Sequence, residues 1–245
     1  MKDVIENFDK SAARYENFAA PQAALAKTLS TWIATSERNG SAIEIGAGTG
    51  LFTREMLPWS GTYSATDAAP NMVAQGRRNC PEANWQIMDA CEPVRINQHN
   101  WVFACSILQW LSEPQKILAK WQNALTDDGH LVMAVLLPRT LGELQSLLPE
   151  ARQLHWRPAL EWQVMVKKAG FIIERQSEWE QKSIYSTSHE LLRAVHSMGL
   201  APRQSVGPGR LRTVLREYDQ KFATPDGVSA TWRAWLVRAR VAARP

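Results

Sequence analysis

The sequence predicts an α/β fold built on a largely parallel sheet. Three observations carry that expectation. Short apolar segments alternate with helix-length amphipathic ones, which is the pattern of β-α-β units. A glycine turn, Gly46-Ala47-Gly48-Thr49-Gly50, leads from one apolar segment into a helical one, Leu51–Leu57. No apolar run approaches the roughly 20 residues that span a bilayer; the longest is Leu131–Leu137.

Element by element, the strands expected are Ala42–Gly46, Tyr63–Asp67, Asn84–Met88, Trp101–Ser106, His130–Leu136, Phe171–Gln176 and Thr231–Val241. The helices between them are Leu51–Leu57, Pro70–Arg78, Pro114–Ala124 and Pro158–Lys168. Pro70, Pro114 and Pro158 each suit a first helical turn, where the missing N–H costs nothing. Asp127-Asp128-Gly129 reads as a turn before the fifth strand. A helical segment from about Val4 to Ala34, broken near Pro21, precedes the sheet. Two long connections follow it. Pro138–Arg157 has a helical pattern at Leu141, Leu144, Leu147 and Leu148, and Ser188–Phe222 reads as two helices around Gly207-Pro208-Gly209. Long connections in a compact domain often serve as lids or binding loops. The expectation is one domain over residues 1–245, with an N-terminal lid of about 1–34 and insertions at about 138–157 and 188–222.

Composition sets the frame. The 245 residues suffice for one sizeable core and are short for two. Apolar residues make up 45% and charged residues 21%, as in an ordinary globular domain. Eleven tryptophans suit core and lid packing, with a broad apolar channel as the alternative. The N-terminus lacks a signal-peptide core. Cys80, Cys91 and Cys105 form no metal-spaced cluster, and so sparse a count fits a reducing cytoplasm. No metal is expected. The basic excess is local: residues 201–245 hold nine Arg and Lys against three Asp and Glu. Such a bias marks a solvated face or a dock for an acidic partner. Nucleic acid is disfavoured, because no recognised binding motif accompanies the charge.

Chemistry concentrates at strand ends. Glycines at alternate positions bend the backbone sharply and bring its N–H groups to a ligand. A dinucleotide fingerprint would be G-x-G-x-x-G, but Leu51 stands where its third glycine belongs. The spacing here is G-x-G-x-G, preceded two residues earlier by Glu44. Asp67 ends the second strand; its carboxylate suits two ribose hydroxyls, or else it caps the Pro70 helix. Asp89, after the third strand, suits an adenine amine, or else forms a simple turn. Three acids in order, each ending a strand, point to an adenosyl cofactor. The fourth strand ends in Cys105-Ser106-Ile107-Leu108-Gln109-Trp110.

The segment Glu44–Gly50 resembles the first motif of class I S-adenosylmethionine-dependent methyltransferases. Further segments are similar to the malonyl-[acyl-carrier protein] O-methyltransferases of biotin synthesis. They are Phe8–Glu16, Ser106-Ile107-Leu108-Gln109-Trp110, Arg139–Leu144, Glu190–Arg193 through Gly199, and Ala230-Thr231-Trp232. The matches run in order over nearly the whole chain. One departure is Asn100-Trp101, where many relatives open the strand with an aspartate.

The resemblance implies a Rossmann-like, seven-stranded, mostly parallel sheet with an antiparallel last strand, helices on both faces and helical lid insertions. It implies methyl transfer from S-adenosylmethionine to the free carboxylate of a malonyl group on acyl carrier protein, leaving S-adenosylhomocysteine. A carboxylate is already ionised near neutrality and needs no general base, so none of the five histidines is nominated. Cofactor contacts are expected from Glu44, Gly46, Ala47, Gly48, Gly50, Asp67, Ala68, Met72, Asp89, Ala90 and Ser106. Tyr15 is expected to close over the reacting group, or to be a plain buried tyrosine. Arg139 or Arg157 could grip the carboxylate, or lie on the surface. Gln109, Trp110, His155 and Tyr185 are expected along the substrate wall, with core packing the alternative for Trp110. Arg203, Arg210, Arg212 and Arg216 could steer the acidic carrier. The enzyme is expected to be cytoplasmic and monomeric, with no membrane partner. Rival readings are a methyltransferase of the same fold acting on another small carboxylic acid or phenol, a non-catalytic adenosyl-binding module, and a nicotinamide oxidoreductase.

Overall fold

The computed structural model describes residues 2–92, 97–149, 156–198 and 206–243. Its sheet runs in the order β3-β2-β1-β4-β5-β8-β6. The strands are β1 (Asn39–Ile45), β2 (Ser60–Asp67), β3 (Asn84–Ile87), β4 (His99–Cys105), β5 (Leu125–Leu136), β6 (Phe171–Tyr185), β7 (Ala223–Thr224) and β8 (Gly227–Val241). Pairings among β1 to β5 are parallel. β8 slots antiparallel between β5 and β6, and the two-residue β7 folds back on β8. The chain leaves β1 toward β2 and β3, then returns to place β4 on the other side of β1. A switch point therefore lies between β1 and β4, and ligands in open α/β sheets bind beyond the strand ends there.

Alternation along the central strands builds two cores. Ala42, Trp101, Phe103, Val132, Ala134, Trp232 and Leu236 face one side. Ile43, Ile45, Val102, Leu131, Met133, Trp235 and Val237 face the other. Strands apolar on both faces suit a sheet covered twice. The second core is covered by α5 (Pro114–Ala124) and α7 (Ala159–Lys168), through Trp121 and Trp162. The first is covered by α2 (Ala20–Ser30), α3 (Leu51–Met56), α6 (Gly142–Leu147), α8 (Ser188–Ser197) and α9 (Pro208–Lys221). α1 (Lys2–Ser11) and α4 (Pro70–Asn79) pack on each other beside this core. No helix among the described residues is long and apolar enough to cross a membrane.

Several details differ from the sequence expectation. β6 continues nine residues past Gln176, with Trp179 and Tyr185 turned to the core and Glu178, Glu180 and Lys182 outward. Charged outward positions blunt an edge strand and mask its strand pattern. Asp127-Asp128-Gly129 is a bulge within β5, where the register jumps from His99↔Leu125 to Trp101↔His130. Pro158 is the N-cap of α7 rather than part of its first turn. Pro21 sits in the first turn of α2, so the N-terminal break falls just before it.

Gly76 tests how tightly α4 seats on β3. A Cβ there would lie 2.2 Å from the Trp85 ring. That ring cannot readily yield, because its Nε1 donates to the Cys80 carbonyl at 2.9 Å. Gly76→Ala gains about 1 kcal/mol of helix propensity but incurs an overpacking cost of about 1–3 kcal/mol or more. The clash wins, so Tm in a thermal melt should fall by several degrees. A raised Tm would refute this account of the packing.

Candidate functional site

Beyond the ends of β1, β2, β3 and β4 lies one cavity, roofed by α1 and the turn that follows it. Its floor is the glycine turn. Gly46, Gly48 and Gly50 all have positive φ, at 72°, 58° and 93°. At Gly48 an added Cβ would meet nothing within 4 Å, so the space beside this backbone is the cavity itself. At Gly46 it would lie 2.7 Å from Ile107, which holds the β4 loop against the turn. Gly50 does not line the cavity: it is the N-cap of α3, and a Cβ there would lie 3.0 Å from Cys80 and 3.3 Å from the Trp85 ring.

Glu44 is buried on the apolar face of β1. Its Oε2 accepts from Thr53 Oγ1 and from Tyr63 Oη, both at 2.7 Å. Burial pushes its carboxyl up to about 7; the two hydrogen bonds pull the other way, and the Asp67 charge adds to the rise. Asp67 is likewise raised, chiefly by burial. Its Oδ2 accepts from the Gly48 N–H and its Oδ1 from the Ala69 N–H, each at 2.9 Å. Asp67 therefore ties the glycine turn to β2 and does not cap α4, whose N-cap is Ala69. Asp89 spends Oδ1 on the Cys91 N–H at 2.8 Å and also lines the cavity.

The structure brings Glu44, Gly46, Ala47, Gly48, Asp67, Ala68, Met72, Asp89, Ala90 and Ser106 to this one space, with Tyr15 and Trp110. Ser106 has φ 65°, a left-handed conformation at the strand end. Gln109 stands just behind it, donating from Nε2 to the Ser106 carbonyl at 2.8 Å. Burial raises the Tyr15 hydroxyl well above its ordinary range and pushes the Cys105 thiol up to about 12. Both are neutral near pH 7, and among the described residues no histidine lines the cavity.

Other expected residues lie elsewhere. Arg139 borders a separate polar groove with Glu143, Glu180 and Arg233. Arg157 pairs with Glu161 on the surface of α7. Tyr185 is buried in the core beside Trp232, its hydroxyl raised to about 12 by burial. His155 and Arg203 lie outside the described residues. The Arg139–Leu144 segment staples α6 to β8. Thr140 Oγ1 accepts from the Arg233 N–H at 3.1 Å, and the Glu143 carboxylate takes the Thr231 N–H at 3.0 Å.

The sequence reading did not anticipate Phe8, Gln22 and Met88 as cavity walls. It also missed how the roof is fastened. Asp9 Oδ1 accepts from the Asn71 N–H at 2.7 Å, at the start of α4. Glu16 pairs with Arg54 and accepts from Asn79 Nδ2 at 2.8 Å. Phe8 meets Trp110 edge-on, with centroids 5.8 Å apart.

Comparison with known proteins agrees with this geometry. Residues 43–133 match the family model described as "Methyltransferase domain". A solved S-adenosylmethionine-dependent methyltransferase of Thermotoga maritima superposes with a TM-score of 0.61 at 14% identity, covering 97% of this chain and 99% of that one. The chain is an S-adenosylmethionine-dependent methyltransferase, and family and fold imply that cofactor as its methyl donor. It is 28% identical to the malonyl-[acyl-carrier protein] O-methyltransferase of Paenibacillus sp. (strain JDR-2), over 94% of this chain and 95% of that protein. It is also 28% identical to the biotin biosynthesis bifunctional protein BioCD of Bordetella avium (strain 197N), over 91% of this chain and 50% of that protein. Proteins of Brevibacillus brevis and Halalkalibacterium halodurans with the same name as the Paenibacillus protein are each 26% identical to this chain.

The Glu44 environment has a stability consequence. From its ordinary value of 4.5 up to about 7, the folded protein keeps a proton that the unfolded chain has lost. Stability from this group is therefore full below pH 4.5 and declines as pH rises to 7, by about 3 kcal/mol. Glu44→Gln keeps an oxygen for Thr53 and Tyr63 but cannot titrate. In urea denaturation, wild-type stability relative to this variant should fall between pH 4.5 and 7. A difference that stays flat or grows would contradict the buried-acid assignment.

Proposed function

We propose that this enzyme methylates the free carboxylate of a malonyl group carried on acyl carrier protein, forming the methyl ester as an early step of biotin synthesis. The observation that carries the reading is likeness over 94% of the chain to a protein named for that activity. The cavity's chemistry is compatible with it. The donor fits the residues present: an open-sided Gly48 for close approach, Asp67 and Asp89 for hydroxyls and amine, and Met72, Met88 and Ala90 for the adenine faces. When bound, S-adenosylmethionine supplies an electrophilic methyl group.

The protein's own contribution is placement and exclusion of water. A malonyl carboxylate is ionised at neutral pH, so a site in which Tyr15 and Cys105 stay protonated lacks nothing the reaction needs. Holding acceptor oxygen and methyl carbon in line supplies effective molarities on the order of 10⁵–10⁸ M. Closing α1 over the cavity with Phe8, Tyr15 and Trp110 strips water from a weakly nucleophilic oxygen. The carrier is assigned to the α9 side, where Arg212 and Arg216 are exposed one helical turn apart.

Incubation of malonyl-[acyl-carrier protein] with enzyme and S-adenosylmethionine should add the mass of one methylene group, read by mass spectrometry, while free short-chain acids and phenols stay unmodified. Methylation of the free acids with none of the carrier-linked substrate would reverse the assignment. For the carrier surface, Arg212→Glu with Arg216→Glu should raise KM for the carrier-linked substrate on the order of tenfold at low salt with kcat retained, and added salt should narrow the gap. An unchanged, salt-independent KM would remove α9 from the docking face.

A further inference from the structure

We infer that Gln22 binds the charged amino-acid end of the methyl donor. This rests on the reading that the cavity holds S-adenosylmethionine. Gln22 stands in the first turn of α2 and lines the cavity, with Ala26 one turn further along. The residue is 9% exposed, and its side-chain oxygen Oε1 is buried without a hydrogen-bond partner. A buried amide oxygen left unpaired costs about 1–3 kcal/mol, and such atoms are rare unless something outside the chain completes them.

Sheet order says which end of the ligand that is. The acids suited to ribose and adenine, Asp67 and Asp89, follow β2 and β3, on one side of β1. Gln22 comes from α2, which packs on α3 and reaches β5, β6 and β8, toward the other side. The polar part of the donor remaining for that side is the α-amino-carboxylate. This zwitterion presents donors on its ammonium and acceptors on its carboxylate. A carboxamide offers one acceptor and two donors, so it serves both. Being neutral, it lines the same cavity as the acids Glu44 and Asp67 without adding charge.

Two ligands separate this role from a structural one. S-adenosylhomocysteine carries the amino-acid end, whereas 5′-methylthioadenosine lacks it. By calorimetry, Gln22→Leu should bind S-adenosylhomocysteine on the order of 10- to 100-fold more weakly than wild type and 5′-methylthioadenosine equally well. Gln22→Asn, which withdraws the carboxamide by one methylene, should weaken S-adenosylhomocysteine in the same selective way. Equal binding of S-adenosylhomocysteine by wild type and both variants overturns the inference. So does a matched loss of both ligands, which would mean that Gln22 only shapes the fold. Wild-type protein that binds neither ligand overturns the donor reading and this assignment with it.

Discussion

The site depends on one acid placed where a strand should be apolar. Glu44 occupies a core-facing position of β1, between Ala42 and the glycine turn. Two hydroxyls, from Thr53 on α3 and Tyr63 on β2, converge on its Oε2. Those bonds tie the strand before the turn to the helix after it and to the neighbouring strand. Asp67 completes the bracing by taking the Gly48 N–H from the other side. A chain segment with three left-handed glycines has little conformational preference of its own. Its shape is imposed by these two carboxylates, and burial raises both.

The same geometry explains which parts of the fold could be read in one dimension. Central strands such as Trp101–Cys105 and Leu131–Leu136 are apolar on both faces, so they stand out as continuous runs. The bounds expected for α5 are those found, Pro114–Ala124, with Pro114 suited to its first turn. The second half of β6 was not legible. As an edge strand it keeps charges on its outer face, and Glu178-Trp179-Glu180-Gln181-Lys182 resembles no strand core. The β5 bulge was hidden for a related reason: Asp-Asp-Gly has turn chemistry whether it precedes a strand or interrupts one.

Site residues divide along a similar line. Those in short motifs at strand ends were readable because the chain alone brings them together: Glu44 through Gly48 in one turn, and Asp67 two residues before its Ala69 partner. Residues delivered from a distant element were not. Gln22 lies in an alanine-rich helix with no motif around it, and only the packing of α2 on α3 brings it to the cavity. Asp9 and Glu16 belong to a recognisable segment, yet their partners Asn71, Arg54 and Asn79 come from α3 and α4. Arg139 shows the converse. Its charge suggested carboxylate binding, but Thr140 and Glu143 bond to β8 and leave it beside a different groove.

The electrostatics of the roof follow from what must be kept out. Asp9, half-buried, and Glu16, exposed, fasten it at the rim by bonding to groups on α3 and α4. The groups facing inward from the roof, Ile5, Phe8 and Tyr15, carry no charge near neutrality. Surface ion pairs contribute modestly to stability, each up to about 1 kcal/mol. A roof held by such contacts can open without unfolding the core, while its apolar underside still excludes water when shut. The acids of the cavity, Glu44, Asp67 and Asp89, come instead from the ends of β1, β2 and β3 beneath it.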